Sequence, residues 1–287
     1  MAYVSIRGVD HYYEWVSTEG QPSGKPVMVF MHGWGGSARY WQRTANALKE
    51  QFDCLLYDLR GFGRSPLPQP VPAEVQAIGY ELETYAEDLA LLLDALGLNK
   101  VYLNAHSTGS SVAVFFLNLY PERVERAVLT CSGIFEYDEK AFKAFYKFGG
   151  YVVAFRPLWL RRIPFVDRLF MARFLHRSIP QAERQAFLED FLLADYDAAL
   201  GTIYTAVSER AVEVMPKEFT RLQVPTLLVS GQYDQIIPAD MGRQAAALSD
   251  RVEQVVMADT SHFPMLEDPD TYLQHIRRFL ATEPAAV

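Results

Sequence analysis

Two short runs at the start of the chain, Val4 to Val9 and His11 to Val16, alternate apolar and polar residues. A stretch rich in Gly and Pro follows from Gly20 to Pro26. A period of two marks half-buried strands, so this opening predicts an antiparallel hairpin and then a stop. Val27 to His32 then reads as a continuous strand that breaks at Gly33-Trp34-Gly35-Gly36. A helix over Ala38 to Glu50 comes next, with Ser37 placed to cap it. Strand Cys54 to Leu59 leads through a Gly- and Pro-rich loop, ending near Pro72, to a helix in which Thr84 and Glu87 have capping-box spacing ahead of Leu89, Leu92, Leu93 and Leu96. The order continues with strand Val101 to Ala105, helix Thr108 to Tyr120 stopped by Pro121, and strand Ala127 to Cys131. Between Gly133 and Val224 the sequence is helical and aromatic-rich, without a convincing strand. The rhythm then resumes with strand Thr226 to Ser230, helix Ala239 to Leu248, strand Glu253 to Met257 and helix Thr271 to Leu280.

Strands apolar on both faces and separated by helices predict a parallel sheet covered on both sides, with right-handed crossovers. The interruption predicts a helical insertion that returns to the same sheet. The expected organisation is therefore an α/β core over 1–133 and 225–287, with inserted helices over 134–224.

The junction His106-Ser107-Thr108-Gly109 joins a strand directly to a helix. Ser107 is thus expected on a sharp turn with its hydroxyl clear of the sheet, and the small residues Ala105 and Gly109 on either side allow the close contacts such a turn forces. An ordinary helix N-cap would also place a serine here. Serine becomes a useful nucleophile only when a base takes its proton, and that base needs a carboxylate to orient it. His262 follows the last strand and Asp234 follows the strand before it, so both fall at the carboxyl edge where Ser107 lies, in the chain order Ser, Asp, His. Asp259, three residues before His262, is a rival orienter, but it would need its loop to fold back, and strand-end geometry favours Asp234. The glycine turn after the first parallel strand brings backbone amides to the same edge, which makes the N–H groups of Trp34 and Thr108 the candidate oxyanion hole.

The remaining motifs carry less. Gly33 and Gly35 lack the third glycine of a dinucleotide turn. In the segment from Asp58 to Ser65, Asp58 and Arg60 are expected to organise a loop. His32 is expected to hold the glycine turn by hydrogen bonds, and His106 to point into the sheet. No pair of histidines has metal-ligand spacing with a carboxylate or thiol companion, so neither a metal nor a cofactor is expected.

These motifs together resemble the α/β-hydrolase superfamily: His32-Gly33-Trp34-Gly35-Gly36, the Asp58 to Ser65 loop, His106-Ser107-Thr108-Gly109, Gly231 to Asp234 and Ser261-His262-Phe263-Pro264. The resemblance implies an eight-stranded, mostly parallel sheet flanked by helices, a helical lid inserted after the sixth strand, and a Ser107-His262-Asp234 triad. Ala105 departs from the commoner glycine and implies a slight adjustment of the turn. Serine at 107 speaks against the branches that use aspartate there.

Composition narrows the partners. Over 287 residues the chain carries a net charge of −8, which disfavours nucleic acid. Its two cysteines, Cys54 and Cys131, lie in or beside buried-strand runs and do not make a disulfide framework, so a reducing, cytoplasmic address is expected. Met1 to Trp15 has neither the pattern of a secretory signal nor that of an anchor. From Phe135 to Phe174 the insertion holds twelve aromatic residues, among them Tyr137, Phe145, Phe148 and Phe174. Most are expected to pack the insertion onto the core, the rest to line an acyl or aryl site. The same stretch is basic. A solvated outer face is the favoured reading of that charge, and attraction of anionic substrates or peripheral contact with a membrane is the alternative. Gly149-Gly150 is a candidate hinge. The expected activity is cleavage of a carboxylic ester of small to medium apolar character through an acyl-enzyme. Carbon–carbon bond hydrolysis or cofactor-free peracid formation on the same triad, and a ligand receptor with little turnover, are the rival readings.

Overall fold

A computed structural model describes residues 2–135 and 139–281, without the side chains at 141, 144, 145 and 148. Eight strands form one sheet: β1 (Ala2–Ile6), β2 (Val9–Val16), β3 (Val27–Met31), β4 (Asp53–Tyr57), β5 (Val101–His106), β6 (Val124–Thr130), β7 (Thr226–Gly231) and β8 (Val252–Met257). Their spatial order is β1-β2-β4-β3-β5-β6-β7-β8, antiparallel up to the β2–β4 pair and parallel from there on. The helices are α1 (Gln42–Leu48), α2 (Ala73–Ile78), α3 (Leu82–Ala95), α4 (Thr108–Leu119), α5 (Glu139–Ala154), α6 (Val166–Met171), α7 (Gln181–Leu193), α8 (Tyr196–Ala206), α9 (Glu209–Thr220), α10 (Ala239–Ala246), α11 (Pro264–Glu267) and α12 (Pro269–Ala281). Helices α5 to α9 all fall between β6 and β7. Among the described residues, no helix is long and apolar enough to cross a membrane.

Pleating sends alternate residues of each central strand into opposite cores. Val29, Met31, Leu55, Leu103, Leu129 and Leu228 join one cluster with α3, α4 and Phe219 of α9. Met28, Phe30, Cys54, Leu56, Val128 and Val229 join the other with Trp41, α1 and α12. Both faces are dry, which explains why these strands read as continuous apolar runs.

Local departures from the sequence reading have identifiable causes. The hairpin turns at Arg7 and Gly8, both at positive φ (52° and 75°), so Ile6 pairs with Val9 and the strands end earlier and begin earlier than expected. Arg7 gives up ordinary backbone geometry there while its guanidinium bonds Asp88 (3.0 Å), Glu74 (2.6 Å) and Glu87 (2.8 Å). Helix α3 starts at Leu82, which puts Thr84 inside its first turn, where its hydroxyl donates to the Glu81 carbonyl, and Glu87 serves Arg7. The capping box does not form. Ser37 does cap, accepting from the Arg39 amide at 3.2 Å, but on a 3₁₀ turn over Ala38–Trp41 that precedes α1. Gly149 and Gly150 lie within α5, where a Cβ at Gly149 would come within 3.1 Å of Ile203 on α8. They lie inside a continuous helix and allow it to pack closely on α8. Of the aromatic residues singled out above, Tyr137 and the side chains of Phe145 and Phe148 lie outside the described residues.

The inserted helices are tied to the core by polar contacts as well as rings. The Trp34 indole donates to the Ala199 carbonyl at 2.8 Å, and the Asp195 amide to the Gly61 carbonyl at 2.8 Å. Asp190 of α7 is buried, accepts from the Ser37 hydroxyl at 2.6 Å and pairs with Arg39, which also reaches Glu189 at 3.0 Å. Burial dominates at Asp190 and lifts its carboxyl to about 6, against the pull of Ser37 and Arg39. A carboxyl raised in the folded state binds more protons there than when unfolded. Its contribution to stability is complete below the unfolded value of 3.8 and is lost as pH rises to about 6. Asp190→Asn removes this titration. In thermal melts the stability of the wild type relative to the variant should therefore fall across that interval, by on the order of 3 kcal/mol, and stay level above it. A difference that does not change with pH contradicts this account.

Candidate active site

The site is built at the carboxyl ends of the parallel strands, beside the point where strand order reverses between β3 and β5. Ser107 follows β5 at φ 52°, ψ −122°, a conformation that L residues avoid. Surrounding contacts hold it there. Its amide donates to the Thr130 carbonyl on β6 at 2.9 Å, and its own carbonyl accepts from the Ser110 and Ser111 amides at the start of α4 (2.8 and 3.1 Å). Gly109 makes the turn feasible, since a Cβ there would lie 2.4 Å from the His32 carbonyl oxygen. Ala105, where glycine is commoner, is fully buried on β5 and the turn still forms.

His262 Nε2 lies 3.1 Å from Ser107 Oγ, and His262 Nδ1 lies 2.8 Å from Asp234 Oδ2. The other oxygen of Asp234 accepts from the Ile236 and Ile237 amides at 2.8 and 3.0 Å. Burial pushes the Asp234 carboxyl up, but His262 and these two amides outweigh it, and the net effect holds the group below the usual carboxylate value. The loops carrying Asp234 and His262 touch at Gly231, where a Cβ would fall 1.9 Å from the Ser261 carbonyl oxygen. The rival Asp259 is exposed and lies 3.7 Å from Arg177, while the imidazole Nδ1 is taken by Asp234.

His106 takes a part that sequence reasoning did not assign. It is buried, its Nε2 lies 2.7 Å from the His262 carbonyl oxygen, and its Nδ1 lies 3.0 Å from the Tyr40 hydroxyl. That hydroxyl accepts from the Gly33 amide at 2.5 Å. With the hydroxyl accepting from Gly33, its proton is directed to His106 Nδ1, so His106 Nε2 carries the hydrogen that donates to His262. Burial, followed by the neighbouring His262, holds His106 well below the ordinary imidazole value, in keeping with this neutral tautomer. Tyr40 gave no signal in the sequence beyond being an aromatic residue in a predicted helix. His32 holds its loop as expected, accepting from the Leu59 amide at 2.9 Å. Asp58 does so too, accepting from the Ala38 and Arg64 amides at 2.8 Å each, while Arg60 turns away to Asp88 at 2.8 Å.

The glycine turn closes on Ser107 from the side. A Cβ on Gly33 would sit 3.0 Å from that of Ser107. Among the described residues, neither the Trp34 nor the Thr108 amide has a hydrogen-bond acceptor. Rings from the insertion roof the site: Phe174 lies 6.0 Å from His262, Phe187 5.1 Å from Phe263, and Phe191 5.5 Å from Trp34. The Phe174 carbonyl also accepts from the His262 amide at 3.0 Å. His106, Cys131 and His262 each bring a ligand-type atom within 4.8 Å of the others. That set does not fit a metal. Burial raises the Cys131 thiol well above its ordinary value, and both His106 nitrogens are engaged, whereas a metal needs a thiolate and free imidazole lone pairs.

Known proteins share this architecture. A Bacillus subtilis protein named AB hydrolase superfamily protein YisY is 27% identical over 89% of this chain and 91% of its own. The 2-hydroxy-6-oxononadienedioate/2-hydroxy-6-oxononatrienedioate hydrolase of Klebsiella pneumoniae is 26% identical over 90% of this chain and 88% of its own. An esterase structure from Exiguobacterium antarcticum superposes with a TM-score of 0.79 at 19% identity, covering 98% of this chain and 99% of that one, a likeness of fold. The profile of the α/β hydrolase fold matches residues 26–269, most of the sequence, and the chain belongs to that family.

Proposed function

We propose that this protein is a serine hydrolase that cleaves carboxylic esters of small to medium, mainly apolar character through an acyl-enzyme. The observation that carries this reading is the unbroken line Ser107 Oγ, His262, Asp234, with separations of 3.1 and 2.8 Å at a strained strand-to-helix turn. His262 Nε2 takes the Ser107 proton as the oxygen attacks the acyl carbon, and Asp234 holds the tautomer and stabilises the imidazolium. The amides of Trp34 and Thr108 receive the developing oxyanion, supported by the positive end of α4. The imidazolium returns the proton to the leaving alkoxide. Water, deprotonated by His262, then releases the acid and restores the serine. The aromatic roof from Phe174, Phe187 and Phe191 favours apolar acyl groups and restricts water. In this reading the inserted helices are the lid. The two buried free thiols fit an address in the reducing cytoplasm.

The similarity to a carbon–carbon bond hydrolase supports a second reading on the same three side chains, with a vinylogous ketone as electrophile in place of an ester. A panel of acyl esters of graded length, run beside a dienoic ring-fission ketone, separates the two.

Three outcomes are expected. A fluorophosphonate should add mass at Ser107, seen by peptide mass spectrometry, and Ser107→Ala should lose ester turnover by at least about 10³-fold. Labelling at another serine overturns the assignment. Asp234→Asn should lower kcat by roughly 10⁴-fold while the fold is kept, because the wrong imidazole tautomer is then favoured. Tyr40→Phe strands the Gly33 amide and His106 Nδ1 together and should lower kcat about tenfold with little change in KM, since an unmet buried donor costs about 1–3 kcal/mol. Wild-type kinetics in that variant would show that Tyr40 has no positioning role.

A further inference from the structure

Residues 155–170 are apolar on two sides. Leu160, Val166 and Phe170 pack inward with Leu188, Phe191 and Leu192 of α7. An amphipathic covering would then present polar residues to water. Instead, Phe155, Leu158, Trp159, Ile163, Phe165 and Leu169 face outward, with exposures from 40% at Ile163 to 78% at Leu169. Phe155 and Trp159 stack edge to face at 6.4 Å, so their exposure belongs to one ordered surface. Phe165 is 77% exposed at φ 66°, a backbone setting in which Gly or Asn would be easier if the chain needed only to turn. An exposed apolar surface of this extent on a folded chain marks a binding face.

Its charge has one sign. From 155 to 174 there are five arginines and a single carboxylate, Asp167, which is buried and bonded to Arg184 at 2.9 Å. Arg161 reaches Glu189 at 2.7 Å. Arg162, Arg168 and Arg173 are exposed and, among the described residues, have no carboxylate partner. The chain as a whole carries −8, so this is a basic face on an acidic molecule. We infer that residues 155–173 dock the protein on an anionic lipid bilayer, the rings entering the boundary of the acyl chains and the guanidinium groups meeting lipid phosphates. Interleaved rings and arginines of one charge sign suit a fluid anionic surface with no fixed register. An open surface groove lined in part by Val153, Arg156, Leu192 and Tyr196 adjoins the face at Phe155. The segment ends at Phe174, against His262, so the docked face and the site are joined by one short stretch.

The test is co-flotation of the full chain with vesicles of phosphatidylcholine alone or with about 30 mol % phosphatidylglycerol, together with tryptophan quenching by brominated lipid. The wild type should float with the anionic vesicles only and be released by salt, with a quenching component that disappears in Trp159→Phe. Arg162→Gln/Arg168→Gln/Arg173→Gln should bind on the order of 10²-fold more weakly, at about fivefold per arginine. Phe155→Ser/Trp159→Ser/Phe165→Ser should bind at least about tenfold more weakly. Both variants alter exposed side chains and should melt with the wild type. A wild type that stays unbound at low salt overturns the inference, as does equal binding to neutral vesicles. Self-association without flotation, abolished by the aromatic variant, would assign the face to a second copy of the chain instead.

Discussion

Everything at the candidate site depends on one backbone conformation, that of Ser107. At φ 52° and ψ −122° the residue is held out of both strand and helix geometry, and only its neighbours keep it there. Strand β6 accepts its amide, the first turn of α4 donates to its carbonyl, and the space at Gly109 admits the His32 carbonyl. The conformation is unfavourable locally and stable globally, because changing it would break a sheet contact and a helix start together. It sets the hydroxyl 3.1 Å from the imidazole of a residue 155 positions away.

Around that residue, two distant loops are held to one another by buried polar contacts. The amide of Gly33, the hydroxyl of Tyr40, the ring of His106 and the carbonyl of His262 form a single directional series. Its members are buried and every hydrogen in it has an acceptor, which makes the series worth more than separate bonds and costly to interrupt. The glycine turn and the imidazole loop therefore do not move independently. Asp234 is fixed in the same way by the Ile236 and Ile237 amides and by the contact of Gly231 with Ser261.

The inserted helices have two characters. Their inner rings meet Trp34, Tyr40, His262 and Phe263 and cover the candidate site. Their polar ties, Asp190 with Ser37 and Arg39 above all, fix α7 to the start of the first parallel crossover. The outer surface of the 155–169 segment, where Arg161 reaches Glu189 of α7, is apolar and basic at once.

Much of this was legible in the sequence, for a physical reason. Parallel strands dry on both faces leave unbroken apolar runs, and a sheet that alternates with helices delivers the residues after each strand to one edge, so Ser107, Asp234 and His262 could be placed together by counting strands. The glycine and alanine positions of the turn were readable because close approach admits few side chains. Other features depended on contacts between residues far apart in the chain. The turn at Arg7 and Gly8 is stabilised by carboxylates on α2 and α3, the start of α3 lies ahead of its capping signal, and Tyr40 looks like any helical aromatic until the fold brings it to His106. Periodicity likewise could not tell which rings of the insertion face in or out, since a segment apolar on both sides has no moment to read. Local pattern determined the elements and the edge where Ser107, Asp234 and His262 gather. Tertiary packing alone decided which hydrogen bonds join the loops there and which aromatic residues are left to face solvent.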